Sequence, residues 1–136
     1  MDPLRRQLTN DKAARLLKVI QLIRLLDREM PAQVIASFLY VASHNHCHKQ
    51  ALEEDLDFTT ASSSRNTDWL SDQHRLNKPG LGLIKKQQDP ANRRRQELIL
   101  TSKGESLLKQ IEDLLYVQTT QTIQDDPAGN RLRLRN

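Results

Sequence analysis

Apolar side chains recur at three- and four-residue steps over residues 11–29, at Leu16, Val19, Ile20, Ile23 and Leu26, the spacing of a helix. Leu17, Leu22 and Leu25 widen that stripe past one face, so the helix needs cover on more than one side. Pro31 stands where a first helical turn tolerates it. The helix that follows carries Val34, Ile35, Phe38, Leu39 and Ala42 and ends near Ser43. A polar run comes next, His44, Asn45, His46, Cys47 and His48. A short third helix is expected over 49–56, with Ala51, Leu52 and Leu56 inward.

Thr59 is a good N-cap for a fourth helix over 60–71. Its Ala61, Ser62, Ser63, Ser64, Asn66 and Thr67 are small and mostly polar. They are poor helix formers in isolation, but they let a helix approach another surface closely. Trp69 and Leu70 anchor its far end. After a Pro- and Gly-interrupted connection over 72–82, two short strands are expected at 83–87 and 96–100, with Leu98 and Leu100 alternating on one face. Between them an arginine-crowded loop over 88–95 has turn chemistry in Asp89, Pro90 and Asn92. Thr101 caps a long last helix with Leu107, Leu108, Ile111, Leu114 and Leu115 on one face. That pattern fades near Ile123, and 125–136 reads as a disordered basic tail.

The fold class expected is mainly α with a small β-hairpin. Residues 1–30 form an N-terminal helical segment, 31–100 a core, 101–124 a C-terminal helix and 125–136 the tail, in one integrated domain. At 136 residues one core of ordinary size suffices. Aromatics are only 4% and hydrophobic residues 37%, so the core is aliphatic and the chain gains from burying surface in a partner.

Charge adds the next constraint. The net charge is +4, which favours a polyanionic ligand. Locally, residues 85–95 carry +4, residues 1–18 carry +3 and the tail from Pro127 another +3, whereas 49–57 carry −3. The single cysteine, Cys47, excludes an intrachain disulfide framework. Residues 1–10 lack an apolar signal core, and no run approaches the ~20 apolar residues of a membrane span. A cytoplasmic protein without membrane attachment is the expectation.

The segment 31–115 resembles the DNA-binding core of MarR-type regulators. The resemblance rests on Gly82-Leu83-Ile84-Lys85-Lys86, then Asp89-Pro90-Ala91-Asn92-Arg93-Arg94, then Leu100-Thr101-Ser102-Lys103-Gly104. The last matches the Leu-Thr-x-x-Gly with which that family's second wing strand opens its dimerisation helix. Ser62-Ser63-Ser64-Arg65 resembles the recognition helix. Asn92 stands where the family usually has a wing Asp, and the 71–81 connection is several residues longer than the family's tight link.

The resemblance implies a winged helix-turn-helix homodimer that binds double-stranded DNA as a transcription repressor in the nucleoid. Its first and last helices interlock through Leu16, Ile20, Ile23, Leu107, Ile111, Leu114 and Leu115. Thr60, Ser62, Ser63, Ser64, Arg65 and Asn66 enter the major groove, where Arg65 can pair with guanine. Arg93, Arg94 and Arg95 reach phosphates or a narrow minor groove, and Lys85 and Lys86 add phosphate contacts. Half-sites roughly 34 Å apart follow from the dimer. A small-molecule effector would bind between dimerising and DNA-reading parts, although no residue pattern identifies one.

Two alternatives stand beside this reading. His44, His46, Cys47 and His48 have zinc-ligand chemistry, which fits either a metal- or ligand-responsive sensor or plain helix capping. Asn92 and the longer connection fit a winged-helix module that binds protein instead of DNA. No Gly-rich phosphate loop and no Ser-His-Asp constellation is present, so no catalysis and no cofactor are expected.

Overall fold

The computed structural model describes residues 5–72 and 78–124, the side chains of 117–124 excepted. The tail from Asp125, with its arginines, and residues 73–77 of the long connection lie outside the described residues. Among the described residues, five helices and a three-stranded antiparallel sheet follow the order α1 (Asp11–Leu26), α2 (Ala32–Ser43), β1 (Cys47–His48), α3 (Lys49–Leu56), α4 (Thr60–Leu70), β2 (Ile84–Asp89), β3 (Asn92–Leu100) and α5 (Ser102–Gln124). This is a winged-helix fold. The chain divides into two compact units, Leu26–Leu108 and the pair of terminal segments Met1–Leu25 with Lys109–Asn136.

In the Leu26–Leu108 unit, Val34, Phe38 and Val41 of α2, Leu52 of α3, Leu70 of α4, Leu83, Ile84 of β2 and Leu98 of β3 are buried. They form the aliphatic core that the composition demands. The helix α4 packs on α2 and α3. Its start is set by Thr59, whose side chain accepts the Ser62 N–H at 3.0 Å. This satisfies one of the donors that every helix N-terminus leaves open. Its end falls at Leu70, where Ser71 turns extended. The long connection therefore does not prolong this helix. Its neck is closed instead, by Gly80 N–H to Asp72 O at 3.1 Å and Leu83 N–H to Leu70 O at 2.8 Å.

The sheet order is β1-β3-β2. Its outer strand β1 falls within the run expected to be a polar loop. Two residues show no alternation, so only pairing across space defines it: Cys47 lies opposite Leu98 and His48 opposite Glu97. The hairpin is also longer than expected. A turn at Pro90 and Ala91 joins the strands, with Asp89 opposite Asn92. Asp89 Oδ1 accepts the Ala91 N–H at 2.8 Å, and Asn92 Oδ1 accepts the Arg94 N–H at 3.1 Å. Asn92 thus orders the turn through the backbone, a role that needs no charge. The arginines expected in a loop belong to β3.

In the unit of terminal segments, Asn10 caps α1 by accepting the Ala13 N–H at 2.9 Å. The helix stops at Leu26, short of the expected Glu29, because Asp27 turns the chain and accepts the Glu29 N–H at 3.0 Å. Arg15 pairs with Asp11 one turn back and donates to the Leu115 carbonyl at 3.3 Å. Val19, Ile23 and Ile111 are buried, while Leu16, Leu17, Leu25, Leu115 and Tyr116 are exposed. Ile23 and Ile111, and Leu107 in the other unit, are therefore already covered within one chain. Of the residues expected to interlock two chains, Leu16 and Leu115 keep open surface, and Ile20 and Leu114 are half-buried.

Candidate nucleic-acid interface

The helix α4 presents two different faces. Ser63 and Thr67 are fully buried, and Asn66 is buried. Each is satisfied from inside: Ser63 Oγ donates to the Glu53 carboxylate, Thr67 Oγ1 to the Ser63 carbonyl at 2.7 Å, and Asn66 Nδ2 to Gln33 Oε1 at 3.0 Å. The close approach expected of small hydroxyl residues is thus made in part to the protein's own α2 and α3. Ser63 and Asn66 leave the set of outward candidates, because their spacing from the buried Leu70 puts them on its face of the helix. Thr60, Ala61 and Arg65 are exposed, and Ser62 and Ser64 are half-buried. Arg65 donates to Ser62 Oγ at 3.1 Å, which holds its guanidinium along the outward face.

On the hairpin, Arg93, Arg94 and Arg95 are all exposed. The register makes them so. Gln88 lies opposite Gln96 but Asp89 lies opposite Asn92, so the three arginines form a bulged stretch outside the regular ladder. Bulges re-aim side chains in this way. Arg94, Arg95 and Gln96 share a cleft of about 400 Å³ with Lys49, Gln50 and Glu53 of α3 and with Thr60 at the start of α4. Lys85 is exposed. Lys86 is not free for a ligand, because its ammonium pairs with Asp68 of α4 and so fastens the hairpin to that helix.

The histidine-rich run does not converge as a whole, because His44 and Cys47 lie away from the face of His48. His44 ends α2, its N–H bonded to the Tyr40 carbonyl at 3.0 Å, and its ring stacks on Tyr40 with centroids 4.2 Å apart. The Tyr40 hydroxyl donates to Asp55 at 2.5 Å, and that bond together with burial pushes its pKa to about 12. Cys47 shares the face of Leu98, and burial pushes its thiol up to about 11, which disfavours the free thiolate. His48 points to the other face, where its Nε2 lies 2.9 Å from Asp89 Oδ2. Asp89 and Glu97 escaped the sequence reading because pairing alone brings them to His48.

No protein-family model and no curated protein matches the sequence. Solved structures do match the fold. A MarR-like transcriptional regulator from Thermotoga maritima superposes with a TM-score of 0.57 at 19% identity, covering 94% of this chain and 85% of that one. A MarR transcriptional regulator from Methanosarcina mazei gives 0.57 at 14% identity, over 85% of this chain and 76% of that one. A mutant MarR from E. coli, complexed with operator DNA, gives 0.53 at 17% identity, over 81% and 77% of the two chains. The fold of this chain is the MarR-type winged helix.

Proposed function

We propose that the protein is a transcription regulator that binds double-stranded DNA as a homodimer and represses by occupying its site. The observation that carries this is the shared cleft of Arg94, Arg95 and Thr60. A positively charged hairpin and the N-terminus of an outward-facing helix line the same opening. A helix N-terminus itself favours anions, and the bulged arginines add exposed cations beside it. Thr60, Ser62, Ser64 and Arg65 read the major groove. Arg93, Arg94, Arg95 and Lys85 hold phosphates, which position the protein without specifying sequence. The operator complex of the E. coli neighbour supports the same class of ligand. The dimer is supported by exposed Leu16, Leu17, Leu25, Leu115 and Tyr116, all in the unit of terminal segments. Large apolar side chains left exposed together in one unit are what an association surface would cover.

Selection of bound fragments from random duplex DNA, followed by anisotropy titrations across salt, tests the proposal. With about six phosphates neutralised per dimer, the log-log salt slope is expected near roughly −5. Replacing Arg93, Arg94 and Arg95 together by Ala flattens that slope. Arg65→Ala costs about 1–3 kcal/mol and relaxes sequence preference. Lys86→Ala leaves the slope unchanged, because that ammonium is held by Asp68. Sedimentation at micromolar concentration is expected to give twice the 15.7 kDa chain mass. Absence of any binding at low salt overturns DNA binding in favour of a protein-binding module, and wild-type affinity and salt slope in the triple variant overturn the role given to the arginines.

A further inference from the structure

One face of the sheet gathers ligand chemistry that the DNA reading does not use. His48 and Gln87 lie on either side of Glu97 across the ladder, and Asp89 is two residues beyond Gln87. With a side-chain period of two, all four point to the same face. Donor atoms of His48, Asp89 and Glu97 all lie within 4.8 Å of one another. Each carboxylate is tethered by one oxygen and turned toward a histidine with the other. Asp89 Oδ1 takes the Ala91 N–H at 2.8 Å, leaving Oδ2 at 2.9 Å from His48 Nε2. Glu97 Oε1 takes the Gln87 amide at 3.1 Å, leaving Oε2 at 3.6 Å from His46 Nε2. The carboxylates are sheltered, with side-chain exposures of 14% for Asp89 and 12% for Glu97.

We propose that His48, Asp89 and Glu97 bind a divalent transition-metal ion, with His46 able to close a fourth position. Two imidazole nitrogens with two carboxylate oxygens suit zinc and ions of similar preference over calcium or magnesium. The tethered oxygens are the orienting hydrogen bonds that metal sites place behind their ligands. Metal–ligand bonds of about 2.0–2.2 Å put tetrahedral donors roughly 3.4 Å apart. The His48–Asp89 contact opens to that spacing and the wider separations close, both by side-chain rotation. An ion there ties β1 to the hairpin that carries the arginines. Cys47 and His44 are excluded by the sheet face and by the α2 terminus.

The test is made on tag-free, metal-stripped full-length protein, independently of DNA, so failure of either proposal leaves the other standing. Zinc titration by calorimetry and cobalt titration by visible absorption are expected to give one ion per chain. His48→Gln, Asp89→Asn and the near-isosteric Glu97→Gln each weaken binding at least about ten-fold. Cys47→Ser and His44→Ala leave it unchanged. Zinc raises the melting temperature of the wild type and of Cys47→Ser, but not of His48→Gln. Three results overturn the site: no saturable binding at micromolar free ion, undiminished affinity in both His48→Gln and Glu97→Gln, or a thiolate-to-cobalt band that vanishes with Cys47→Ser.

Discussion

Glu53→Ala is expected to lower unfolding stability by about 3–5 kcal/mol, although it removes only a charged residue from a short helix. The reason is what Glu53 holds. It accepts from Lys49 Nζ at 2.6 Å, from Ser63 Oγ and from Thr60 Oγ1 at 3.3 Å. Lys49 is only 8% exposed, so alanine leaves a nearly buried ammonium without its acceptor, and leaves Ser63 Oγ only the Thr60 carbonyl at 3.3 Å. An uncompensated buried charge costs far more than the intact pair contributes. The double variant Lys49→Met/Glu53→Leu is therefore expected to recover most of the loss. Urea midpoints of Lys49→Met, Glu53→Leu and the double variant close the cycle. Additive losses would mean that the two side chains do not depend on each other.

The same carboxylate gives stability a pH dependence with a definite sign. Burial alone would raise the pKa of Glu53, but hydrogen bonds from Lys49 and Ser63, the Lys49 charge and then Thr60 outweigh it and hold it below the ordinary 4.5. In the interval between folded and unfolded values the unfolded chain binds more protons, so stability rises with pH there. The contribution of Glu53 is complete above about 4.5 and is lost as pH falls through the lower folded value. Glu53→Gln should remove that part of the acid sensitivity and leave the rest. An unchanged acid limb in urea melts between pH 3 and 5, roughly the span of a shifted carboxylate, would contradict the assignment.

This network also marks how far the sequence could be read. The apolar steps placed α2 and α3 well, and Thr59 and Thr101 announced the starts of α4 and α5 through capping chemistry that is local to the chain. Phase within α4 was missed, with Ser63 and Asn66 assigned outward, although a signal for it exists. Ser63, Asn66, Thr67 and Leu70 follow the i, i+3, i+4, i+7 spacing of one helical face, and Leu70 is the apolar member that says which way it turns. Hydroxyls conceal that phase because they serve either solvent or interior once bonded to the preceding turn. The hairpin was harder. Three arginines and Asn92 give no strand periodicity, so residues 92–95 of β3 read as a loop until their register with β2 is known. The meeting of His48, Asp89 and Glu97 lies further out of reach. It depends on two strand pairings, one to a strand of two residues, and no local pattern encodes either.

Gly104→Ala is expected to cost about 3 kcal/mol or more, and Gly104→Val more again, at the upper end of what overpacking does. A Cβ at this position would sit 2.1 Å from the Leu83 carbonyl oxygen and 3.1 Å from its carbon. The close approach is made by hydrogen bonding around it. Leu83 O accepts the Thr101 N–H at 3.0 Å, Thr101 Oγ1 donates to Gly82 O at 2.7 Å, and the same Oγ1 accepts the Gly104 N–H at 3.0 Å. The first turn of α5 is thereby drawn down onto the chain entering β2, and only a residue without a side chain fits beneath it. This gives the Leu-Thr-x-x-Gly pattern a physical cause: threonine caps the helix and seats it, and glycine admits the carbonyl. Leu100 Cδ2 also lies 3.2 Å from the added carbon, but it is a side-chain atom that can move. Leu100→Ala is therefore expected not to rescue Gly104→Ala, since the obstacle is backbone. Thermal melts of the two single variants and the double variant decide the point. Rescue by Leu100→Ala would mean that side-chain crowding, and not the seating of α5 on Leu83, is what demands glycine.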